Sequence, residues 1–226
     1  MSISILIPAY NEADKIGDTV RAACQLKMKF PNLEVIVVDD GSTDKTSQVS
    51  QEAGADIVHK QRNGGKGEAL RAALSLSNGE ILLPLDADLG SSASEAEKLL
   101  LPILQNEADM SIALFVVSSG SGGGMGLAVR LASWGIQKLT GRVMRAPLSG
   151  QRAFRRTLLE KCGGFASGWG VEVGLTVRAL QAGFRLLEVP TSMTHRVTGR
   201  SLKGIVHRAS QFFSIARTLI GLKLQR

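Results

Sequence analysis

Two aspartates separated by one small residue, Asp86 and Asp88, follow the apolar run Ile81-Leu-Leu-Pro-Leu85. On an extended strand end, carboxylates at i and i+2 point to the same side, so both can face one crevice. Two hard oxygen donors at the carboxyl end of a buried strand suit a Mg²⁺ or Mn²⁺ ion that also holds phosphate oxygens. Three further stretches could join that chemistry. Pro8-Ala-Tyr-Asn-Glu12 sets a carboxylate just beyond a first apolar run, and Asp39-Asp40-Gly41-Ser42-Thr43-Asp44 ends a second. Lys66 stands among glycines in Asn63-Gly-Gly-Lys-Gly67, where bare backbone and an ammonium can both approach phosphate. Each alone has a plain structural alternative: a polar loop for Asp-x-Asp, a helix cap for Glu12, a solvated loop lysine for Lys66. Their convergence favours chemistry.

The elements that must position these groups are legible as apolar runs and helical periodicities. Ile3–Ile7, Leu33–Val38, Ile57–Val58, the run from Ile81 and Asp109–Val117 read as strands, the first stopped by Pro8. Between them Ile16, Val20, Ala23 and Cys24 recur at helical spacing, as do Leu99, Leu100, Ile103 and Leu104. Ser42 or Thr43 is placed to cap a helix through Val49 to Ala53, and Asn63–Gly67 opens another over Glu68–Leu76. Such alternation predicts an α/β fold with a mostly parallel sheet flanked by helices, and ligands at the carboxyl ends of its strands. The second half is less regular. Ser118–Gly124 is a Gly/Ser loop, Leu127–Thr140 and Trp169–Ala182 read as helices, Pro147–Phe154 as extended, and Phe184–Val189 as another strand. From Ser201 an amphipathic C-terminal helix sets Ile205, Ala209, Phe212, Phe213, Ala216, Leu219 and Ile220 on one face.

Composition bounds the partners. The 226-residue chain fits one domain, carries a net charge of +7, and has only Glu160, Glu172 and Glu188 as acidic residues after Asp109. That basic balance calls for acidic partners, such as nucleotide phosphates, phosphorylated substrates or an anionic membrane surface. Aromatic residues make up only 4% of the chain, too few for the stacking platforms of a nucleic-acid binder. Cys24 and Cys162 match neither a disulfide framework nor a metal knuckle and read as small hydrophobes in a reducing compartment. With no apolar run long enough to span a bilayer, the expectation is a cytoplasmic protein.

In order and spacing, Pro8-Ala-Tyr-Asn-Glu12, Val38-Asp-Asp-Gly-Ser-Thr-Asp44, Gly65-Lys-Gly-Glu-Ala-Leu70 and Leu85-Asp-Ala-Asp88 resemble the nucleotide-sugar glycosyltransferases of the GT-A fold, family 2 and its relatives. The second half is similar to glucosyl-3-phosphoglycerate synthases at Pro147-Leu-Ser-Gly-Gln151, at Gly168-Trp-Gly-Val-Glu-Val-Gly174 and at His195. The front half fits polyprenyl-phosphate sugar transferases equally well, and Ser149-Gly-Gln-Arg-Ala-Phe-Arg155 has an echo there. The resemblance implies a donor site formed by Pro8, Ala9, Tyr10, Glu12, Asp40, Lys66, Asp86 and Gln151. Within it Glu12 meets the ribose, Asp40 and its neighbours hold the base, and Lys66 neutralises donor phosphate. It also implies Asp88 as the direct metal ligand, Asp86 on the ribose or a metal-bound water, His195 completing the metal site, and Glu172 on the acceptor side. The bland readings of His195 and Glu172 as surface residues, and of Arg152, Arg155 and Arg156 as a solvated face, stand beside these roles.

The expected activity is metal-dependent transfer from a nucleoside-diphosphate sugar, UDP-glucose first, to a small phosphorylated acceptor. A polyprenyl phosphate at the membrane surface is the second reading, and a non-catalytic nucleotide-sugar binder the third. Two stretches depart from the synthases. Gly123-Gly124-Met125-Gly126 stands where they carry Gly-Gly-Arg-Val-Thr, and Val197 where they have asparagine, so the donor half transfers and the acceptor half does not. Residues 1–117 are expected to hold the donor and 118–200 the acceptor side. The apolar face of 201–226 is expected to cover the domain or a dimer seam rather than a membrane.

Overall fold

The computed structural model describes residues 1–115, 126–165, 171–194 and 214–222. Its strands are β1 (Ile3–Ala9), β2 (Leu33–Asp39), β3 (Ile57–Lys60), β4 (Ile81–Pro84), β5 (Met110–Phe115), β6 (Arg152–Arg155) and β7 (Leu186–Thr191). They form one sheet in the order β3-β2-β1-β4-β6-β5-β7. All neighbouring pairs are parallel except those of β6, which runs antiparallel to both β4 and β5. The helices are α1 (Ala13–Gln25), α2 (Thr46–Glu52), α3 (Lys66–Leu76), α4 (Glu97–Leu104), α5 (Gly126–Thr140), α6 (Arg156–Lys161) and α7 (Val171–Gln181), followed by α8 over 214–222.

Strand alternation builds a core on each face of the sheet. Ile5, Ile7, Val35, Val37, Ile81 and Leu83 pack with Ile16 and Val20 of α1 and Leu99, Leu100 and Ile103 of α4. Leu6, Ile36, Val38, Leu82 and Phe154 face the other way, onto α3 and α5 to α8. These continuous apolar runs are what a sheet covered on both sides requires.

Several elements depart from the sequence reading. β1 runs through Pro8 to Ala9 instead of stopping. β4 ends at Pro84 opposite Leu6, so beyond that point β1 pairs with β2 alone, where a missing N–H is tolerated. Neither Ser42 nor Thr43 caps α2, whose N-cap is Lys45 without a side-chain hydrogen bond. A 3₁₀ segment, Gly90–Ala96, precedes α4, and the short α6 follows β6 directly. In α8 the buried side chains are Ile215, Leu219 and Leu222, whereas Ile220 is exposed, so the apolar face is rotated from the one read off the periodicity. Leu219 seats over α5 at Gly135, where an added Cβ would lie 2.3 Å from its Cδ1. Among the described residues no helix is long and apolar enough to cross a membrane.

Candidate active site

The loops that converge on the crevice leave the carboxyl ends of β1, β2, β3 and β4, with the approach to β6 closing one side. Leu85, Ala87 and Leu89 are buried while Asp86 and Asp88 are part-exposed, so the two carboxylates do share one side of their loop. They do so from a turn rather than a strand, because β4 has already ended at Pro84. Thr19 of α1 braces that turn from behind. Its wholly buried hydroxyl donates to the Ala87 carbonyl at 2.7 Å and accepts from the Gly90 N–H at 2.8 Å. Nothing in the local sequence marks Thr19 for this task, since the partners lie in a loop far along the chain.

Lys66 is the first residue of α3, delivered by Gly65 in the left-handed region (φ 87°). Asp40 holds that turn in place: one carboxylate oxygen accepts from the Gly64 N–H at 2.9 Å and the Gln61 amide at 2.7 Å, and the other from the Gly65 N–H at 2.7 Å. Asp40, 4% exposed, thus spends its carboxylate on the glycine turn. The Lys66 ammonium meets Asp86 Oδ1 at 2.7 Å and Glu172 Oε1, in the first turn of α7, at 3.8 Å. Burial pushes this ammonium toward neutrality, but Asp86 and Glu172 outweigh it and hold it above the usual lysine range. Gly150 makes room for it, since a Cβ there would stand 2.8 Å from Nζ.

Gln151 and Arg152 sit at the start of β6. The Gln151 amide nitrogen donates to Asp86 Oδ2, which fixes the orientation of the amide, and its buried Oε1 has no hydrogen-bond donor among the described residues. Arg152 is not a solvated arginine. At 2% exposed it donates to the Ser149 and Glu172 carbonyls and to Thr176 Oγ1, tying β6 to α7. Burial pulls its pKa down to about 10, with Glu172 acting the other way. Arg155 and Arg156 likewise reach backbone carbonyls, of Ile103 and of Gly79 and Ser77, so this trio is structural.

The β1 and β2 loops are stitched together. Asn11, at φ 53°, accepts from the Thr43 N–H at 2.9 Å, and its own N–H donates to Ser42 Oγ at 2.9 Å. The Glu12 N–H donates to Thr46 Oγ1 at 2.9 Å. Glu12 occupies the N-cap of α1 without a side-chain capping bond, which sets aside its purely capping role. Beneath them Asp39 is buried. Burial raises its carboxyl, but hydrogen bonds from Ser42 and Ser47 and the Lys60 ammonium at 4.0 Å hold it below the usual carboxylate range. Pro8 and Ala9 end β1 at the crevice, and Tyr10 is 51% exposed beyond them.

His195 lies outside the described residues. The chain leading to it is anchored beside the acidic turn: the Thr194 N–H donates to Ser92 Oγ at 3.1 Å, and the Ser192 N–H to Glu95 at 2.8 Å. Among the described residues no three His, Cys, Asp or Glu side chains gather closely enough to hold a metal on their own. Asp86 and Asp88 supply two hard oxygens, which fits a cation that takes its remaining ligands from phosphate and water.

Known proteins resemble the chain in sequence and in fold. Polyprenol monophosphomannose synthase of Mycolicibacterium smegmatis is 32% identical over 98% of this chain and 88% of its own. Glucosyl-3-phosphoglycerate synthase from Mycobacterium tuberculosis, solved with Mg²⁺ and UDP, superposes with a TM-score of 0.81 at 26% identity, covering 98% of this chain and 79% of that one. The same enzyme with Mn²⁺, UDP and phosphoglyceric acid gives a TM-score of 0.81 at 27% identity, covering 98% and 78%. The α/β sheet is therefore of the GT-A kind. With the family model of "Glycosyl transferase family 2" matching residues 4–163, which include the stretches bearing Glu12, Asp40, Lys66, Asp86, Asp88 and Gln151, the chain belongs to that family of glycosyltransferases.

Proposed function

We propose that the protein transfers a sugar from a nucleoside-diphosphate sugar, UDP-glucose being the first to test, to a small acceptor that carries a phosphate. The observation that carries the reading is the Lys66 ammonium, set by a glycine turn at a helix start and lying 2.7 Å from Asp86. An ammonium, bare backbone and two carboxylates in one crevice match a diphosphate bridged to a divalent cation. Asp88, with His195 as a further ligand, would hold Mg²⁺ or Mn²⁺, and Asp86 would face the ribose or a metal-bound water. The cation, when bound, neutralises charge developing on the departing diphosphate. Lys66 adds a second positive charge there, and Gln151 keeps Asp86 turned into the crevice. Glu172, on the α7 wall, faces the acceptor side, and Glu12, with the β1 and β2 loops, encloses the nucleoside. The Mg²⁺–UDP complex of the mycobacterial synthase supports the donor and metal assignments.

A lipid phosphate is the second acceptor reading, supported by the similarity to polyprenol monophosphomannose synthase over almost the whole chain. A non-catalytic nucleotide-sugar binder is set aside by family membership. The test is release of UDP from UDP-glucose and other nucleotide sugars with Mg²⁺ or Mn²⁺, with 3-phosphoglycerate in one arm and a short polyprenyl phosphate in the other. Metal-dependent turnover stimulated by one acceptor identifies it. Asp88→Ala should abolish turnover while leaving the melting temperature close to wild type. Full activity in that variant, or in chelator, would overturn the assignment.

A further inference from the structure

Helix α5 buries Ala128, Ala132, Gly135, Ile136 and Leu139 and turns its other side outward. On that side Leu127 is 71% exposed and Trp134 57%; in the turn just past the helix Val143 is 65% exposed. Arg130 and Lys138 are exposed on the helix, and Arg142 and Arg145 in the segment that follows it. Leu127, Arg130, Trp134 and Lys138 follow one another at helical spacing and form a single stripe. None of the four cations has a carboxylate partner among the described residues, and from Met110 to Leu159 the chain contains no Asp or Glu. The nucleotide-sugar chemistry does not use this face.

Its chemistry selects the partner. A row of exposed cations seeks negative charge, while an exposed tryptophan near aliphatic side chains seeks an apolar layer beside a wet one. A second copy of this chain meeting the same face across a two-fold axis would set cations against cations. Nucleic acid would satisfy the arginines but leave Leu127 and Val143 in water. An anionic bilayer supplies both requirements at the depth at which tryptophan and snorkelling basic side chains reside. We propose that this face docks the protein on an anionic phospholipid surface, with Leu127, Trp134 and Val143 entering the headgroup layer and the four cations on the lipid phosphates. The segment then runs into the crevice. The Arg145 and Ala146 N–H groups are pinned by Glu188, and Gly150, a few residues on, lies against Lys66. Docking would therefore turn the acceptor side of the crevice toward the membrane. Neither the exposure nor the charge of this face depends on which acceptor the crevice takes.

The experiment is co-sedimentation of the full chain with vesicles of phosphatidylcholine alone and of phosphatidylcholine mixed with phosphatidylglycerol, at low and high salt, with tryptophan emission recorded in parallel. The expected result is binding to the anionic vesicles only, weakened by salt, with a blue shift that is lost in Trp134→Phe. The triple variant Arg130→Glu, Lys138→Glu, Arg142→Glu should lose at least about tenfold in vesicle affinity while keeping its melting temperature and nucleotide-sugar hydrolysis. Absence of binding to anionic vesicles, or binding that ignores the charge reversal, would overturn the proposal. So would a concentration-dependent dimer in sedimentation equilibrium that Trp134→Ala dissolves, because the face would then be a seam between copies.

Discussion

Replacing Thr19 by valine would test whether the acidic turn is held from behind. Valine fills nearly the same volume, so no cavity opens, but the Ala87 carbonyl and the Gly90 N–H lose partners now at 2.7 and 2.8 Å. Thr19 is fully buried, so water cannot replace the hydroxyl without rearrangement. Leaving a buried polar group unsatisfied costs about 1–3 kcal/mol, so with two such groups the loss should be about 2–6 kcal/mol of stability. That is a large share of the roughly 5–15 kcal/mol typical of a domain. Thr19→Ser keeps the hydroxyl and removes one methyl, and should cost about 0.5–1.5 kcal/mol by analogy with single-methyl deletions. Since Ala87 stands between Asp86 and Asp88, the valine variant should also weaken UDP binding in the presence of Mn²⁺, and serine should restore it. Urea unfolding and calorimetric titration of UDP with Mn²⁺ measure the two effects. A valine variant with wild-type stability, or a serine variant as impaired as valine, would refute the bracing role.

Lys66→Ala should weaken UDP-sugar binding by about 1.5–3 kcal/mol, or roughly 10- to 150-fold, through loss of a charge-assisted contact. Wild-type affinity by calorimetry would return the lysine to a purely internal pairing with Asp86 and Glu172. The Asp39 carboxyl is held below its unfolded value, so its contribution to stability is fully present above about pH 3.9 and is lost as pH falls through the folded value. Asp39→Asn should lower stability near neutrality and flatten the acid limb of a urea-midpoint profile. An unchanged limb would show that the buried carboxylate is not what fails in acid. Gly135→Ala sets a Cβ against Leu219 and should cost about 1–3 kcal/mol while raising hydrogen exchange in 214–222. Unaltered exchange there would show that α8 does not depend on that seat.

What the sequence determined by itself was the acidic, strand-end character of the site. Apolar runs that stop at Asp39 and Asp40, or just before Asp86, announce strands buried on both faces and polar groups at their carboxyl ends, because burial and chain reversal are both local in composition. The glycine flanks of Lys66 likewise declare a turn into a helix start, and Gly65 takes the left-handed conformation there. Tertiary structure alone decided which groups meet. β6 enters antiparallel between β4 and β5, and that pairing carries Gln151 to Asp86 and Gly150 to Lys66 across long loops. Arg152 reads as a surface cation by type, yet it is buried and bonded to carbonyls of two elements. Ser42 and Thr43 read as caps, but pair with Asn11 because β1 and β2 lie side by side. Pro8 reads as a stop, but continues a strand that has lost one neighbour. Thr19 carries no local mark at all. Each of these depends on strand order and register, which set distances between residues far apart in sequence, and local periodicity specifies only which face of its own element a side chain occupies.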